Sequence, residues 1–244
     1  EIDKAGRINI SPTLREAAGL KKECIILAIE NYIEIWDDSV YKSYLDDTEV
    51  DFKEAATRLG VVYATIGELT LAESTFKRLL DMDPNNASAH FNLGLLWQQQ
   101  EDMTRAVSAY RKAIECDPSH RRAHNNLGNA LRSMGQWNQA IDAYKEAIRL
   151  EPSDVLARYN LARLYYERGE YESAAQELQE ALSVDQENAT VRYLLAAAYE
   201  RFDSEKAADA WKEYIRAAED DPQQQDYLAE AKKRLTRLEK QEQR

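Results

Sequence analysis

The sequence predicts an all-α protein built from stacked helical hairpins, and three observations carry that expectation. Leucines fall evenly at Leu59, Leu93, Leu127, Leu161 and Leu195, always 34 apart. In the same phase run alanines (Ala72, Ala106, Ala140, Ala174, Ala208), large side chains (Tyr63, Trp97, Leu131, Tyr165, Tyr199) and prolines (Pro84, Pro118, Pro152). Only 8 Gly and 5 Pro interrupt 244 residues otherwise rich in the good helix formers Ala, Leu, Glu, Gln, Arg and Lys. A fixed period of this size belongs to chains that bury apolar surface between neighbouring copies rather than around one centre.

The third copy illustrates the physics. A first helix is expected over Arg122 to Ser133, with His124, Leu127 and Leu131 on one stripe at spacings of three and four. Met134-Gly135-Gln136 breaks it, with glycine just past the end. A second helix follows over Asn138 to Leu150, apolar at Ala140, Ile141, Tyr144, Ala147 and Ile148, and Pro152 stops it. The small Gly128 and Ala140 let the paired helices approach closely. One hairpin cannot bury its stripes alone, so several copies must act together.

These residues resemble the tetratricopeptide-repeat (TPR) family. The stretch Ala123 to Pro152, AHNNLGNALRSMGQWNQAIDAYKEAIRLEP, is close to that family's consensus, and the likeness covers residues 53–222, with repeats starting near Lys53, Ala87, Arg121, Val155 and Ala189. The resemblance implies a right-handed α-solenoid of about five TPR hairpins with N-terminal extra helices and a C-terminal capping helix. Repeat four departs with Leu178 at the aromatic position of its second helix and Gln186 at the proline position. Repeat five reads as one residue shorter, since Ala207 and Trp211 fit its second helix better than Ala208 and Lys212.

The flanks read differently. Residues 1–52 do not fit the repeat and are expected to be an N-terminal helical extension. Thr13 and Glu16 form a capping box there, and Leu20 to Trp36 is apolar on more than one face, as in a buried helix. Such a segment either packs on repeat one or docks a partner. Residues 223–244 are expected to be a capping helix, with Leu228, Ala231, Leu235 and Leu238 on one face.

Function classes narrow by charge and by missing motifs. The formal net charge of −12 argues against nucleic acid and against an anionic membrane surface. No apolar stretch reaches the length of roughly 18 residues or more that a membrane helix needs, so no membrane insertion is expected. Two cysteines cannot make a disulfide framework. There is no P-loop, GxGxxG fingerprint or GxSxG elbow, so neither an enzyme nor a cofactor is expected. Cys116, His120 and His124 are spaced as metal ligands on a helix, but Pro118 interrupts the helix they would need, and no metal is expected. The chain begins at Glu1, not Met, so a processed or shortened chain is expected; a cytoplasmic setting is preferred, with a periplasmic one open.

In the TPR family the first helices line the inner surface, where a partner lies. By position the resemblance assigns to that surface Glu54, Thr57, Arg58 and Val61 in repeat one and Phe91, Asn92, Leu95, Gln98 and Gln99 in repeat two. Repeat three supplies Arg122, Asn125, Asn126, Asn129 and Arg132; repeat four, Tyr159, Asn160, Arg163 and Tyr166; repeat five, Thr190, Tyr193 and Leu194. Asn92, Asn126 and Asn160 stand 34 apart and are similar to the asparagine ladder of some members; an amide both donates to and accepts from a peptide backbone. Arg122, Arg132 and Arg163 face only Glu167 among nearby inner positions, and with Tyr159, Tyr166 and Tyr193 they give the residue mix of protein-binding hot spots. The clamp some members use for a C-terminal carboxylate is matched at Asn92 and Arg122 but not at Thr57, Val61 or Asn126. The expectation is a scaffold or adaptor holding an extended acidic segment of another protein. The alternatives are a structural subunit docking through residues 1–52 and the convex surface, or an accessory domain of a longer enzyme.

Overall fold

The structure is a computed structural model that describes residues 24–29, 32–37, 49–219 and 224–242. Two short strands come first, β1 (Cys24–Ile29) and β2 (Tyr32–Asp37). Eleven helices follow among the described residues: α1 (Glu49–Thr65), α2 (Leu69–Met82), α3 (Ala87–Gln99), α4 (Met103–Cys116), α5 (Arg121–Ser133), α6 (Trp137–Leu150), α7 (Val155–Glu167), α8 (Tyr171–Val184), α9 (Ala189–Tyr199), α10 (Ser204–Ala218) and α11 (Gln225–Glu242). The chain divides into two compact units, residues 1–118 and 119–244. The first holds the strands and two helical hairpins; the second holds three hairpins and α11.

The strands correct the helical reading of Leu20 to Trp36. β1 and β2 pair antiparallel, with Ile29 opposite Tyr32 and Cys24 opposite Asp37. The physical reason is in the residue types. Ile25, Ile26, Ile29, Ile33 and Ile35 are β-branched, which restricts χ1 in a helix and suits an extended chain. Each apolar run is also six residues long, a strand's length rather than a helix's. The capping box at Thr13 and Glu16 lies outside the described residues.

Each first helix begins at a cap placed by the repeat. Asn86, His120, Asp154 and Asn188 stand 34 apart, and each accepts a hydrogen bond from the backbone N–H three residues on, at 2.9–3.2 Å. The turn to the second helix needs a left-handed residue. Gly67, Gly135 and Gly169 supply it with φ of +85°, +72° and +80°. Glu101 occupies the same position in repeat two, at φ +61°. A side chain there costs conformational energy that glycine avoids, so Glu101→Gly should stabilise the first unit by about 0.5–1 kcal/mol. Chemical denaturation would show it as a rise in midpoint; a fall would mean that Glu101 is not strained.

Inside each hairpin, a missing side chain sets the helix spacing. A Cβ on Gly60 would come within 2.4 Å of the Phe76 ring, one on Gly94 within 2.4 Å of Tyr110, and one on Gly128 within 2.5 Å of Tyr144. Repeat four pairs Ala162 with the smaller Leu178, both fully buried. Repeat five is indeed shortened: Ala207 and Trp211 are fully buried while Lys212 is exposed, and α10 starts one residue earlier than the period places it.

In the first unit α1 packs on α2 and α3, α2 on α3, and α3 on α4. In the second, consecutive helices pack from α5 to α11, and α5 touches α7 as α7 touches α9. The first helices of the second unit therefore form one layer. Beyond α10, α11 buries Leu228, Ala231 and Leu238. It is also tied electrostatically: the Glu200 side chain, 8% exposed, pairs with Arg234 at 3.2 Å and with Arg237. No described helix is long and apolar enough to cross a membrane.

Candidate functional site

Nine of the residues assigned to the inner surface lie in the first unit, on α1 (Glu54, Thr57, Arg58 and Val61) and on α3 (Phe91, Asn92, Leu95, Gln98 and Gln99); the other twelve lie in the second. The site is built in the second unit, where α5, α7 and α9 lie side by side.

Two of these twenty-one residues are buried, which corrects their assignment to an open surface. Phe91 is 4% exposed, its ring 5.9 Å from that of Tyr110. Asn125 is 6% exposed, and its Oδ1 accepts from the Asn160 amide at 3.0 Å. Both stand one residue before the asparagine row, at the position directed toward neighbouring helices rather than solvent. Tyr193, in the same phase, is half-buried: its ring lies 5.1 Å from Trp211 and 5.2 Å from Tyr214 on α10, and 5.4 Å from Tyr227 on α11. The face thus ends against this chain's own last helix. Tyr227 stands one repeat length after Tyr193, so the period itself could have found that contact.

The asparagine row is not uniform. Asn126 is half-buried, and its amide is unengaged among the described residues. Asn160 has one of its two amide N–H groups committed to Asn125, which leaves the other N–H and the carbonyl oxygen. Asn129 accepts from the Tyr144 hydroxyl at 2.8 Å. Burial pushes the Tyr144 phenol up to about 12, opposed by the Arg132 guanidinium beside it. Tyr144 is therefore a fixed donor that holds Asn129 from behind.

The charged centre of the face is tighter than spacing suggests. Arg132 Nη1 on α5 donates to Glu167 Oε1 at 2.6 Å, and Arg163 Nε on α7 donates to the same oxygen at 3.2 Å. Two guanidiniums share one carboxylate, leaving a local excess of one positive charge among these three groups. Arg163 is about half exposed and Arg132 about one fifth, so both remain accessible. Arg122, at the start of α5, is exposed. Nearby, Tyr159 and Tyr166 are half-buried, and the Tyr166 ring meets that of Tyr171 edge-on at 5.3 Å. Spacing points to Glu167 but not to its hold on both arginines, and to Tyr144 as an apolar position but not to its hydroxyl behind Asn129.

This arrangement can hold a peptide backbone through amides, a carboxylate through guanidiniums and apolar groups through phenol rings. The resolved shifts among the described residues push tyrosines up and carboxylates down, away from neutrality. Cys116 ends α4 while His120 caps α5 and His124 lies within it, so the three do not share a helix. Within the row His90, His124, Arg158 and Arg192, the ring of His90 and the guanidiniums of Arg158 and Arg192 each reach a backbone carbonyl six residues back, at 2.9–3.1 Å.

Comparison with known proteins divides the chain in two. Families described as tetratricopeptide repeat match residues 57–121 and 109–142, and one described as TPR repeat matches 128–167 and 162–203. The family described as MraZ protein, putative antitoxin-like, matches residues 1–61. The Transcriptional regulator MraZ of Treponema denticola is 52% identical over 62 residues, 25% of this chain and 43% of that protein. Its counterpart from Lactobacillus delbrueckii subsp. bulgaricus is 48% identical over 59 residues, 24% of this chain and 41% of that protein. The chain thus spans less than half the length of these relatives. Among solved structures, MamA is 25% identical with a TM-score of 0.61, over 66% of this chain and 95% of that one. The Pseudomonas aeruginosa PilF structure is 23% identical with a TM-score of 0.60, over 76% and 91%. YrrB, described as a TPR protein with an unusual peptide-binding site, is 18% identical with a TM-score of 0.59, over 75% and 92%. These three speak for the fold.

Proposed function

From residue 57 to residue 203 this chain belongs to the tetratricopeptide-repeat family, and we propose that it serves as a protein-binding scaffold whose α5–α7–α9 face holds an extended, acidic segment of a partner. The observation that carries this reading is the convergence of Arg132 and Arg163 on one accessible oxygen of Glu167. Beside it Asn126 offers both halves of an amide to a passing backbone, and Tyr159 and Tyr166 offer half-covered rings. The overall charge of −12 does not oppose this. At physiological ionic strength the screening length is about 8 Å, so a guest feels the local arginines more than the distant carboxylates.

Fluorescence anisotropy with three labelled ten-residue peptides tests the reading, using alternating Glu–Ala, Ser–Ala and Lys–Ala sequences. The Glu–Ala peptide should bind at least about tenfold more tightly than the other two, and weaken as salt rises. Equal affinity for all three would remove the acidic-partner reading.

A second reading has its own support. The likeness of residues 1–61 to proteins named transcriptional regulators supports a regulatory role for that segment, with duplex DNA as the partner such a role would need. Its opening stretch, 1–22, carries Lys4, Arg7, Arg15, Lys21 and Lys22 against Glu1, Asp3 and Glu16, a small basic excess at the start of a matched segment that is acidic as a whole. In this reading the repeats recruit a protein to a DNA-associated head. Mobility shift of duplex DNA by the full chain, lost as salt rises, is the expected sign.

A further inference from the structure

We propose that Glu167 is an internal stand-in for the partner's carboxylate, so that a guest binds by exchange with it and Glu167 sets how acidic the guest must be. This rests on the groove reading above and deepens it. Glu167 closes α7, one turn beyond Arg163 on the same helix, and faces Arg132 on α5. Its Oε1 takes Nη1 of Arg132 at 2.6 Å and Nε of Arg163 at 3.2 Å. A guanidinium carries its donors in a rigid fork matched to a carboxylate, and the seat that two such forks make is already filled.

Three features make the seat exchangeable rather than structural. Glu167 is about one third exposed and Arg163 about half exposed, so water reaches the pair and the cost of parting it is small. Arg132 also has the Tyr144 hydroxyl beside its guanidinium, a second neighbour that is itself fixed by donating to Asn129. Glu200 supplies the contrast. That carboxylate also serves two arginines, Arg234 and Arg237, but is only 8% exposed and fastens α11 to the body. The same motif is buried where it closes the fold and open where it lines the face.

The consequence is selectivity. A guest carboxylate must displace Glu167 or lie beside it, so a single weakly placed acid gains little. A guest with several acids in reach gains more, since it supplies the replacement and a partner for the arginines released. Removing the charge at position 167 while keeping its shape should therefore tighten acidic guests generally and blunt that discrimination.

The test measures the alternating Glu–Ala and Lys–Ala peptides against the wild-type chain and the variants Glu167→Gln, Glu167→Asp and Arg163→Gln, with helicity checked by circular dichroism. Glu167→Gln should bind the Glu–Ala peptide roughly threefold to tenfold more tightly and with a steeper salt dependence. Glu167→Asp, which keeps the charge, should behave as the wild type, and Arg163→Gln should bind more weakly. Unchanged or weaker binding by Glu167→Gln, with Arg163→Gln still weakened, would overturn the stand-in and leave the groove standing. Binding indifferent to every one of these substitutions, or absent from wild type and Glu167→Gln alike, would bring down both.

Discussion

Alanine in place of Gly128 should destabilise the second unit by about 2–3 kcal/mol, lowering its melting temperature by roughly 5–10 °C. The new methyl carbon would stand 2.5–2.9 Å from three atoms of the Tyr144 ring, closer than van der Waals contact allows. The ring cannot swing aside, because Tyr144 is fully buried and its hydroxyl is bonded to Asn129. Relief must come from moving α5 away from α6, which loosens every contact between them. Repeat four shows how the same space is otherwise shared: Ala162 is accommodated where Leu178 replaces the ring. The double variant Gly128→Ala with Tyr144→Leu should accordingly be more stable than the sum of its parts, by about 1 kcal/mol or more. Urea denaturation of the four proteins in that cycle measures the coupling. Additive losses would mean that the glycine is not there to admit the ring.

Reversing three charges together, Arg122→Glu with Arg132→Glu and Arg163→Glu, should weaken the acidic peptide by about a hundredfold or more and leave helicity intact. Each exposed ion pair contributes about 0.2–1 kcal/mol, and reversal replaces an attraction by a repulsion of similar size. Arg132→Glu also faces Glu167 with a like charge, but the buried Leu127, Leu131, Leu161 and Leu164 and the Asn125–Asn160 hydrogen bond are untouched by the three substitutions. The fold therefore has little stake in the swap. Anisotropy titration beside a circular dichroism spectrum separates the outcomes. Unchanged affinity would put the partner elsewhere on the molecule.

Much of the architecture could be read from spacing. The repeat period carries the leucines, the small residues at Gly128 and Ala162, and the shortened fifth repeat, because each is fixed by contact with the next copy. Helix α5 runs Arg121–Ser133, one residue longer than the pattern expects, since His120 caps it from outside. Other features could not be read. Period alone does not tell which residues of a first helix meet solvent, and Phe91 and Asn125 turn inward by one step along the helix. A pairing such as Arg132 with Glu167 joins different repeats, so its geometry depends on how neighbours stack. The strands escape the pattern for another reason. Short apolar runs fit a buried helix as well as a strand, and only the weight of isoleucine in both runs breaks the tie. Whole-chain charge likewise averages a basic start into an acidic remainder.

Helix α1 runs from Glu49 to Thr65, while the likeness to one family ends at residue 61 and the likeness to the other begins at residue 57. The two likenesses thus meet in mid-helix. Trimming the chain at residue 61 would take away Gly60 and bare the Phe76 ring that packs upon it. A shortened version meant to keep the repeats whole has to begin ahead of Glu49, and one meant to keep only the head inherits a helix severed from its mate.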